Sequence, residues 1–437
     1  MRPITLYKDV CPHCKGKHTI TALEEIPPEY FEQLKKEVLS LLEDVYNGKA
    51  PDNSLLALTG QTLTDRVSQS FNEITVDFTT PDAEMLARLT RDVWQFSAAK
   101  NWQQMRDLTL ALKDENGKLR EWDSFKDEAG KICDRYNETW LRTEYDLAIS
   151  SSQSAARWVE YEKEADIIPF LEYQTVGDSE VRPEHAVLDG IVKAIHDVFW
   201  TTHYPPNGYG CRCEAIQAID GEKRETPEKD IPKVHIPDIF RTNLAKTGLI
   251  FPKNHPYYNG IPKSELRKAI AYLPPENTFL DVAIGTNEIE IHPLHGDEEL
   301  SKNIETCNIL LKHDEKAKLK LLPIINEHDI EIKDKFYSKE YVKNFKNKNA
   351  DALYNEKIVE FEEPTCKGNS IKNTLRKAKE QADIIIMRVP DDVDFDKIYN
   401  EINGQMNHYN NDPKYEKLEV WIVNNNELRK YEKQTRK

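Results

Sequence analysis

One segment in the middle of the chain dictates its own backbone path, and it reads Pro205-Pro206-Asn207-Gly208-Tyr209-Gly210-Cys211-Arg212-Cys213. Its two adjacent prolines fix two φ angles. Asn207, Gly208 and Gly210 tolerate the positive φ angles that tight turns require. We therefore predict a turn that places residues 211–213 at the start of a strand.

The two thiols at the end of this turn suggest a metal site. Cys211 and Cys213 could bind zinc together with the imidazole of His185, because zinc takes nitrogen and sulfur ligands. His203 or Asp189 is the candidate fourth ligand. The alternative is a folded polar core that holds no metal, and the residues by themselves leave both interpretations open.

Three further elements precede the turn along the chain. They read Arg142-Thr143-Glu144-Tyr145, then Tyr173-Gln174-Thr175-Val176-Gly177-Asp178, then Val181-Arg182-Pro183-Glu184-His185-Ala186-Val187-Leu188-Asp189-Gly190. In this order, and closed by the turn, they resemble the phage Mu F-like head-morphogenesis family over about residues 95–220. The resemblance implies a structural minor head protein that assembles with the portal and other phage head proteins, without catalysis in this region.

A second thiol pair lies near the N-terminus, where Cys11-Pro12-His13-Cys14 is followed by His18. This spacing suits a zinc knuckle, because the turn aims both sulfurs at one point. Cys11, Cys14 and His18 are therefore candidate zinc ligands. Reduced thiols without a metal are the alternative.

The composition bounds the remaining possibilities. A length of 437 residues suits two or three domains. The net charge of −16 argues against nucleic-acid binding by the whole chain, although the acidic excess lies before residue 301. No stretch approaches the roughly 20 apolar residues of a membrane segment, and residues 1–10 lack a signal-peptide pattern. We expect a protein of the bacterial cytoplasm during assembly and of the virion afterwards.

Changes in hydrophobic periodicity and composition along the chain indicate four parts. Helical periodicity follows Pro27-Pro28, short apolar runs follow Pro169, and prolines mark an exposed connection after residue 220. We predict a knuckle at 1–20, a Mu F-like domain at 21–220, an extended appendage and linker at 221–300, and a separate domain at 301–437. The predicted fold class is multidomain: a mainly α-helical N-terminal body with a small α+β core, followed by a β-rich α+β domain.

The last part of the chain alternates apolar runs with one clear helix. The predicted strands are Leu319–Ile325, Ile358–Phe361, Ile384–Val389 and Leu418–Val423, which are mostly continuous apolar runs. The helix is expected to begin near Ser370, whose side chain could cap it. We therefore expect a small α+β domain.

Two segments of this domain carry a second resemblance. They read Asn355-Glu356-Lys357-Ile358-Val359-Glu360-Phe361-Glu362 and Ser370-Ile371-Lys372-Asn373-Thr374-Leu375-Arg376-Lys377-Ala378-Lys379-Glu380-Gln381-Ala382-Asp383. With shorter elements at 308–312, 318–323 and 349–352, they resemble the C-terminal toxin domains of CdiA-type contact-dependent inhibition proteins over about residues 303–423. The resemblance implies a barnase-, EndoU- or colicin-like nuclease that cleaves tRNA after delivery to the cytoplasm of a target bacterium. It also implies an immunity protein that holds the nuclease inactive.

Acidic and basic side chains mark a candidate active site in this domain. A strand period of two places Glu360 and Glu362 on one face, and Asp351 lies across the preceding turn. These carboxylates could hold Mg²⁺ or act as acid and base. Lys372 and Arg376 on the next helix could stabilise developing negative charge. The expected substrate-binding residues are Lys343, Lys346, Asn373, Lys379 and Gln381.

One position departs from the family pattern. The family has Glu-x-Lys on this strand, whereas the third place here is Glu362. Lys367 or Lys372 is the alternative source of the missing cation. The opposing interpretation treats the carboxylates as ordinary surface residues and the cations as a solvated helix face. The chain would then be a structural head protein whose inactive C-terminal domain binds portal, scaffold or nucleic acid.

Overall fold

The computed structural model describes residues 26–49, 53–75, 78–284, 287–409, 412–415, 417–424 and 427–431. Within these residues the chain forms two compact units. The first comprises the described residues up to 76 together with Arg88–Leu273, and the second comprises those of 77–87 and of 274–437. The predicted cysteine knuckle at 1–20 lies outside the described residues.

The first unit is mainly α-helical and contains one small sheet. Its helices are α1 Pro28–Tyr46, α2 Ser54–Asn72, α3 Thr80–Ala111 (from Arg88 onward), α4 Trp122–Asp134, α5 Trp140–Lys163, α6 Pro183–Ala186, α7 Trp200–His203, α8 Gly221–Arg224, α9 Leu244–Thr247 and α10 Lys263–Ala271. Strands β1 Phe170–Gln174, β2 Val192–Ala194 and β3 Glu214–Gln217 form an antiparallel sheet in the order β2-β1-β3. The predicted helical body is confirmed.

A buried ion pair lies inside this helical body. Lys100 on α3 is 2% exposed, Glu144 on α5 is fully buried, and the Lys100 ammonium donates to the Glu144 carboxylate. The Tyr257 hydroxyl donates to the same carboxylate at 2.8 Å. Because burying each charge costs several kcal/mol of solvation, the two charges depend on each other for their stability.

Residues 244–273 were expected to belong to an extended appendage, but they pack into the helical body. The Phe251 ring stacks on Phe96 of α3 with 3.5 Å between ring centroids. The backbone N–H groups of Ile250 and Phe251 donate to the buried Asp92 carboxylate at 2.9 and 2.7 Å. Aromatic side chains anchor the part of this segment that precedes α10, where the sequence shows no helical or strand period.

The second unit contains an eight-stranded mixed sheet. Its strands are β4 Leu280–Ile284, β5 Asn287–Ile291, β6 Leu319–Leu321, β7 Ala352–Tyr354, β8 Lys357–Glu362, β9 Ile384–Arg388, β10 Glu419–Asn424 and β11 Glu427–Lys430, in the order β11-β10-β9-β8-β7-β6-β5-β4. Neighbours β8/β9, β9/β10 and β5/β6 are parallel, and the other neighbours are antiparallel. The helices are α11 Leu300–His313, α12 Ile330–Lys333, α13 Lys339–Asn344, α14 Ser370–Ala378 and α15 Phe395–Tyr409.

Apolar runs in the sequence predicted some strands of this sheet and not others. Strands β6, β8, β9 and β10 lie where such runs predicted them. Strands β4 and β5 fall inside the segment predicted as a linker, so the sheet begins before residue 301. They form a half-exposed hairpin in which charged and apolar residues alternate, and this pattern is weaker than a continuous apolar run.

Helices cover both faces of this sheet. α14 and α15 pack against one face through a core that includes Ile385, Met387 and Val420. Arg388 points to the opposite face, where it donates to Asn303 of α11 at 2.7 Å. Ser370 is the first residue of α14 rather than its cap, a position taken by Asn369.

Candidate functional site

The predicted carboxylates meet on one face of the large sheet. Ala352 pairs with Val359, so the antiparallel register continues to place Asp351 opposite Glu360. Glu362 lies two residues further along β8 and therefore on the same face as Glu360. The backbone N–H of Phe361 donates to the Asp351 carboxylate at 2.7 Å, which fixes Asp351 against this strand.

Burial sets the protonation of this carboxylate cluster, which we define as Asp351, Glu360 and Glu362. Glu360 is 7% exposed, and its Oε1 atom has no hydrogen-bond partner among the described residues. Burial raises the pKa of Glu360, and the charges of Asp351 and Glu362 raise it further. Burial is also the main cause of the raised pKa values of Asp351 and Glu362. The cluster therefore retains a proton at a pH at which surface carboxyl groups are ionised.

The cations that act on this cluster differ from those expected. Lys372 and Arg376 are exposed on α14. The cationic charges that lower the pKa of Glu362 belong to Lys377, Lys348 and Arg388. Lys348 also acts on Glu360. The sequence could have identified Lys348 as a cation near the cluster, because it lies three residues before Asp351. Arg388 could not be identified in this way, because only the parallel pairing of β8 and β9 brings it close to the cluster.

Arg388 is held by a buried polar network that no sequence motif predicted. Its guanidinium donates to Asn303 Oδ1 at 2.7 Å. The Asn303 amide nitrogen lies 2.9 Å from His295 Nε2, and His295 Nδ1 lies 2.7 Å from the Leu322 carbonyl oxygen. Since the amide nitrogen donates, Nε2 must accept and Nδ1 must carry the proton. The network thus fixes one tautomer and one position of Arg388.

The expected substrate-binding residues are dispersed. The Lys379 ammonium contacts Glu380 and the Tyr415 hydroxyl and lies 3.7 Å from the Tyr415 ring centroid. Asn373, Lys343 and Lys346 are exposed, and Gln381 is half-buried. Lys379 is therefore engaged within the unit, whereas the three exposed residues remain accessible to a ligand.

A second cluster, in the first unit, brings together His185, Cys211 and Cys213. Both sulfurs lie 3.6 Å from His185 Nδ1, although the imidazole and the thiols come from α6 and from the turn before β3. The ligand atoms of all three residues lie within 4.8 Å of one another. Of the described residues, no others of these types form such a group of three or more.

The two residues considered as a fourth ligand to this cluster have other contacts. Asp189 accepts hydrogen bonds from the backbone and the hydroxyl of Thr175, at 2.7 and 2.9 Å. The His203 ring stacks on Phe199 with 4.5 Å between centroids. Neither residue joins the cluster. Cys11, Cys14 and His18 lie outside the described residues, so their predicted zinc site stays a prediction.

None of the helices among the described residues is both long enough and apolar enough to cross a bilayer.

Comparison with known proteins identifies both regions. Residues 97–216 match the family model described as Phage Mu protein F like protein. A putative capsid assembly protein F of Escherichia phage Mu is 42% identical over 83 residues, which cover 19% of each chain. The Mu-like prophage FluMu F protein of Haemophilus influenzae is 35% identical over 98 residues, or 22% of this chain and 23% of that protein. Each match thus spans less than a quarter of the curated relative.

The C-terminal region matches a second family model. Residues 348–428, which contain the carboxylate cluster, match the contact-dependent growth inhibition CdiA C-terminal domain. No solved structure matches the chain. Both resemblances expected from the sequence are confirmed, and the second match begins later in the chain than expected. The chain therefore carries a phage Mu F-like domain and, in its C-terminal region, a stretch that matches the CdiA C-terminal domain.

Proposed function

We propose that this chain is a minor head protein of a phage or prophage, acting near the portal, whose C-terminal unit cleaves RNA in a target bacterium. The head role is supported by similarity to the phage Mu capsid assembly protein F and the FluMu F protein. The nuclease role is supported by one observation above all. Buried Glu360 and half-buried Asp351 and Glu362 have raised pKa values, and the charges of Lys348 and Lys377 act on Glu362, inside the region that matches the toxin family.

Such a cluster suits the cleavage of RNA by acid–base chemistry. An ionised carboxylate takes the proton of a ribose 2′-hydroxyl, and that oxygen attacks the adjacent phosphorus. A protonated carboxyl group gives its proton to the departing 5′-oxygen. We assign the role of base to Asp351 and the role of acid to Glu360. These residues face each other, and their shared environment keeps one proton between them.

Cations complete this proposal. Negative charge develops on the phosphate oxygens during attack, and fixed positive groups stabilise it. Lys348 and Lys377 take this role in place of the lysine that the family pattern puts at position 362. Arg388 adds to the potential from the other face of the sheet, where its network holds it.

The proposed route works without a preassembled magnesium site. The three carboxylates are not among the described groups whose ligand atoms lie within 4.8 Å of one another. Magnesium held by two carboxylates and the substrate phosphate is the alternative. Cleavage that persists in EDTA supports the acid–base route, and cleavage restored only by Mg²⁺ supports the alternative.

The nuclease proposal is tested with the purified full chain and a mixture of bacterial tRNA. We expect cleavage to new 3′ ends that carry a cyclic phosphate, and a fall of at least about 100-fold in Glu360→Gln and in Asp351→Asn. Glu356→Gln, an exposed position on the same hairpin, is the matched control and should cleave normally. A wild-type chain that binds but does not cut RNA would favour an inactive, binding domain.

The head and delivery roles require separate measurements. We expect the chain in purified virions and in complexes with the portal protein. We expect growth arrest when it is produced in a bacterium, and rescue by an immunity protein encoded beside it. Its absence from virions that package DNA normally would contradict the head role but leave the nuclease result intact.

A further inference from the structure

We propose that His185, Cys211 and Cys213 form a zinc site in the Mu F-like domain, with a fourth position that opens into the adjacent cavity and is filled by water. RNA cleavage does not use this cluster, and it belongs to the other unit of the chain. The inference therefore stands or falls independently of the nuclease proposal.

The two nitrogen–sulfur distances in the cluster match those of tetrahedral zinc. With bond lengths of about 2.3 Å to sulfur and about 2.0 Å to nitrogen, a tetrahedral ion holds the two atoms about 3.5 Å apart. The distances from His185 Nδ1 to the sulfurs of Cys211 and Cys213 are both 3.6 Å. One ion between the three atoms would satisfy both distances with little movement.

Hydrogen bonding alone accounts less well for this arrangement. His185 Nδ1 has either one proton or one lone pair, so it makes one good hydrogen bond. Here it lies equally close to two sulfurs, and the His185 and Cys211 side chains are only 4% and 7% exposed. One proton cannot join one nitrogen to two sulfurs, so a cluster without metal also needs the hydrogen bond between the Cys211 and Cys213 side chains. One metal ion would bind all three atoms at once.

The turn holds both sulfurs in place before any metal binds. The Arg182 guanidinium donates to the carbonyl of Tyr209, and the backbone N–H of Cys211 donates to Gly208 at 3.1 Å. A Cβ atom at Gly208 would lie 3.2 Å from the Arg182 side chain, so glycine lets the arginine approach. Gly210 adopts a φ of 65°, which turns the chain into the cysteine pair.

Polar groups around the sulfurs suit bound thiolates. The backbone N–H of Asn207 donates to the Cys211 sulfur. The Tyr173 hydroxyl donates its proton to Asn207 Oδ1 at 3.0 Å and also contacts the Cys213 sulfur. The Asn207 N–H therefore stabilises negative charge on the Cys211 sulfur, whereas Tyr173 only positions the Cys213 sulfur; such contacts orient the first ligands of a metal.

A cavity of about 250 Å³ adjoins the cysteine pair. Cys211 and Cys213 both line it, together with Arg157, Glu180 and Glu214. Its volume admits several water molecules. His203 and Asp189 are engaged elsewhere, so the fourth ligand comes from this cavity rather than from either of those side chains.

The test uses the full chain in a Cys11→Ser/Cys14→Ser background, which removes the other candidate site. We expect one equivalent of zinc after dialysis. We also expect a thiolate-to-metal absorption band when cobalt(II) replaces zinc, and a change in the cobalt spectrum when azide is added. Loss of metal in Cys213→Ser, but not in Cys366→Ser, would support the assignment, because Cys366 is a half-buried thiol of the second unit.

Thiol alkylation of the background protein provides a second test that does not depend on whether Cys213→Ser folds. Zinc should protect Cys211 and Cys213 at least tenfold, and a chelator should remove that protection while the circular dichroism spectrum is unchanged. Less than a tenth of an equivalent of zinc in the background protein, or full zinc in Cys213→Ser, would overturn the site. A cobalt spectrum insensitive to azide would overturn the open fourth position.

Discussion

The carboxylate cluster should make the second unit less stable as pH rises, and Glu360→Gln should remove part of that dependence. Burial raises the pKa of Glu360 in the folded chain, whereas the unfolded chain has the ordinary value of about 4.3. Between these two values the folded state holds one more proton than the unfolded state. The stability contributed by this group is complete below the unfolded pKa and is lost as pH rises toward the folded pKa.

The magnitude follows from proton linkage alone. One extra proton in the folded state lowers the free energy of unfolding by about 1.4 kcal/mol per pH unit. From about pH 5.5 to about pH 7.5, Glu360→Gln should therefore gain up to about 2.7 kcal/mol relative to the wild type. The buried glutamine amide shifts the whole curve by a constant amount, so the slope, not the level, is the informative quantity.

Amide hydrogen exchange of the full chain measures this slope locally. Peptides that cover β9, Ile384–Arg388, have the same sequence in both proteins, so intrinsic exchange rates cancel at each pH. Where exchange reports unfolding equilibria, the wild-type to variant rate ratio should rise up to about tenfold per pH unit. Glu356→Gln should leave the ratio flat. A pH-independent ratio for Glu360→Gln would refute the raised pKa and the acid–base proposal built on it.

Three further changes probe packing and local stability, each followed by hydrogen exchange in its own unit. Lys100→Met should destabilise the first unit by about 3–5 kcal/mol by leaving Glu144 uncompensated, and Lys100→Met/Glu144→Gln should recover most of that loss. An equal loss in the double variant would contradict this account. Gly60→Ala should cost about 1–3 kcal/mol, because the new Cβ would lie 2.4 Å from the Trp94 ring, and unchanged exchange would refute that contact. Ser338→Ala should lower the opening free energy of α13 amides by about 1 kcal/mol, because the Ser338 hydroxyl accepts a hydrogen bond from the Tyr341 backbone N–H at 3.2 Å. Amide protection equal to that of the wild type would rule out the cap.

Local patterns were sufficient wherever a residue's environment follows from its near neighbours. The apolar runs predicted β6, β8, β9 and β10, and the period of two placed Glu360 and Glu362 on one face of a strand. The prediction of a linker failed at β4 and β5, because an alternating, charged hairpin resembles an exposed connection until a neighbouring strand pairs with it.

The turn at residues 205–213 combines a feature that local sequence predicted with one that depends on tertiary packing. Its prolines and glycines predicted a tight turn that delivers Cys211 and Cys213 to the edge of a strand, and β3 begins at Glu214, directly after them. The sequence also named His185 as a partner of the two thiols. Whether the imidazole reaches them depends on how α6 packs against the turn, and the separation along the chain does not reveal this.

The sequence by itself determined the order of the two regions, the core strands and the acidic residues of the candidate nuclease site, because those features depend on composition and short-range periodicity. Only the tertiary structure brought the charges of Lys348, Lys377 and Arg388 to bear on Glu362. It alone joined His295, Asn303 and Arg388 into one network. The physical reason is that electrostatic coupling and burial depend on distance in space, which strand register and helix packing set.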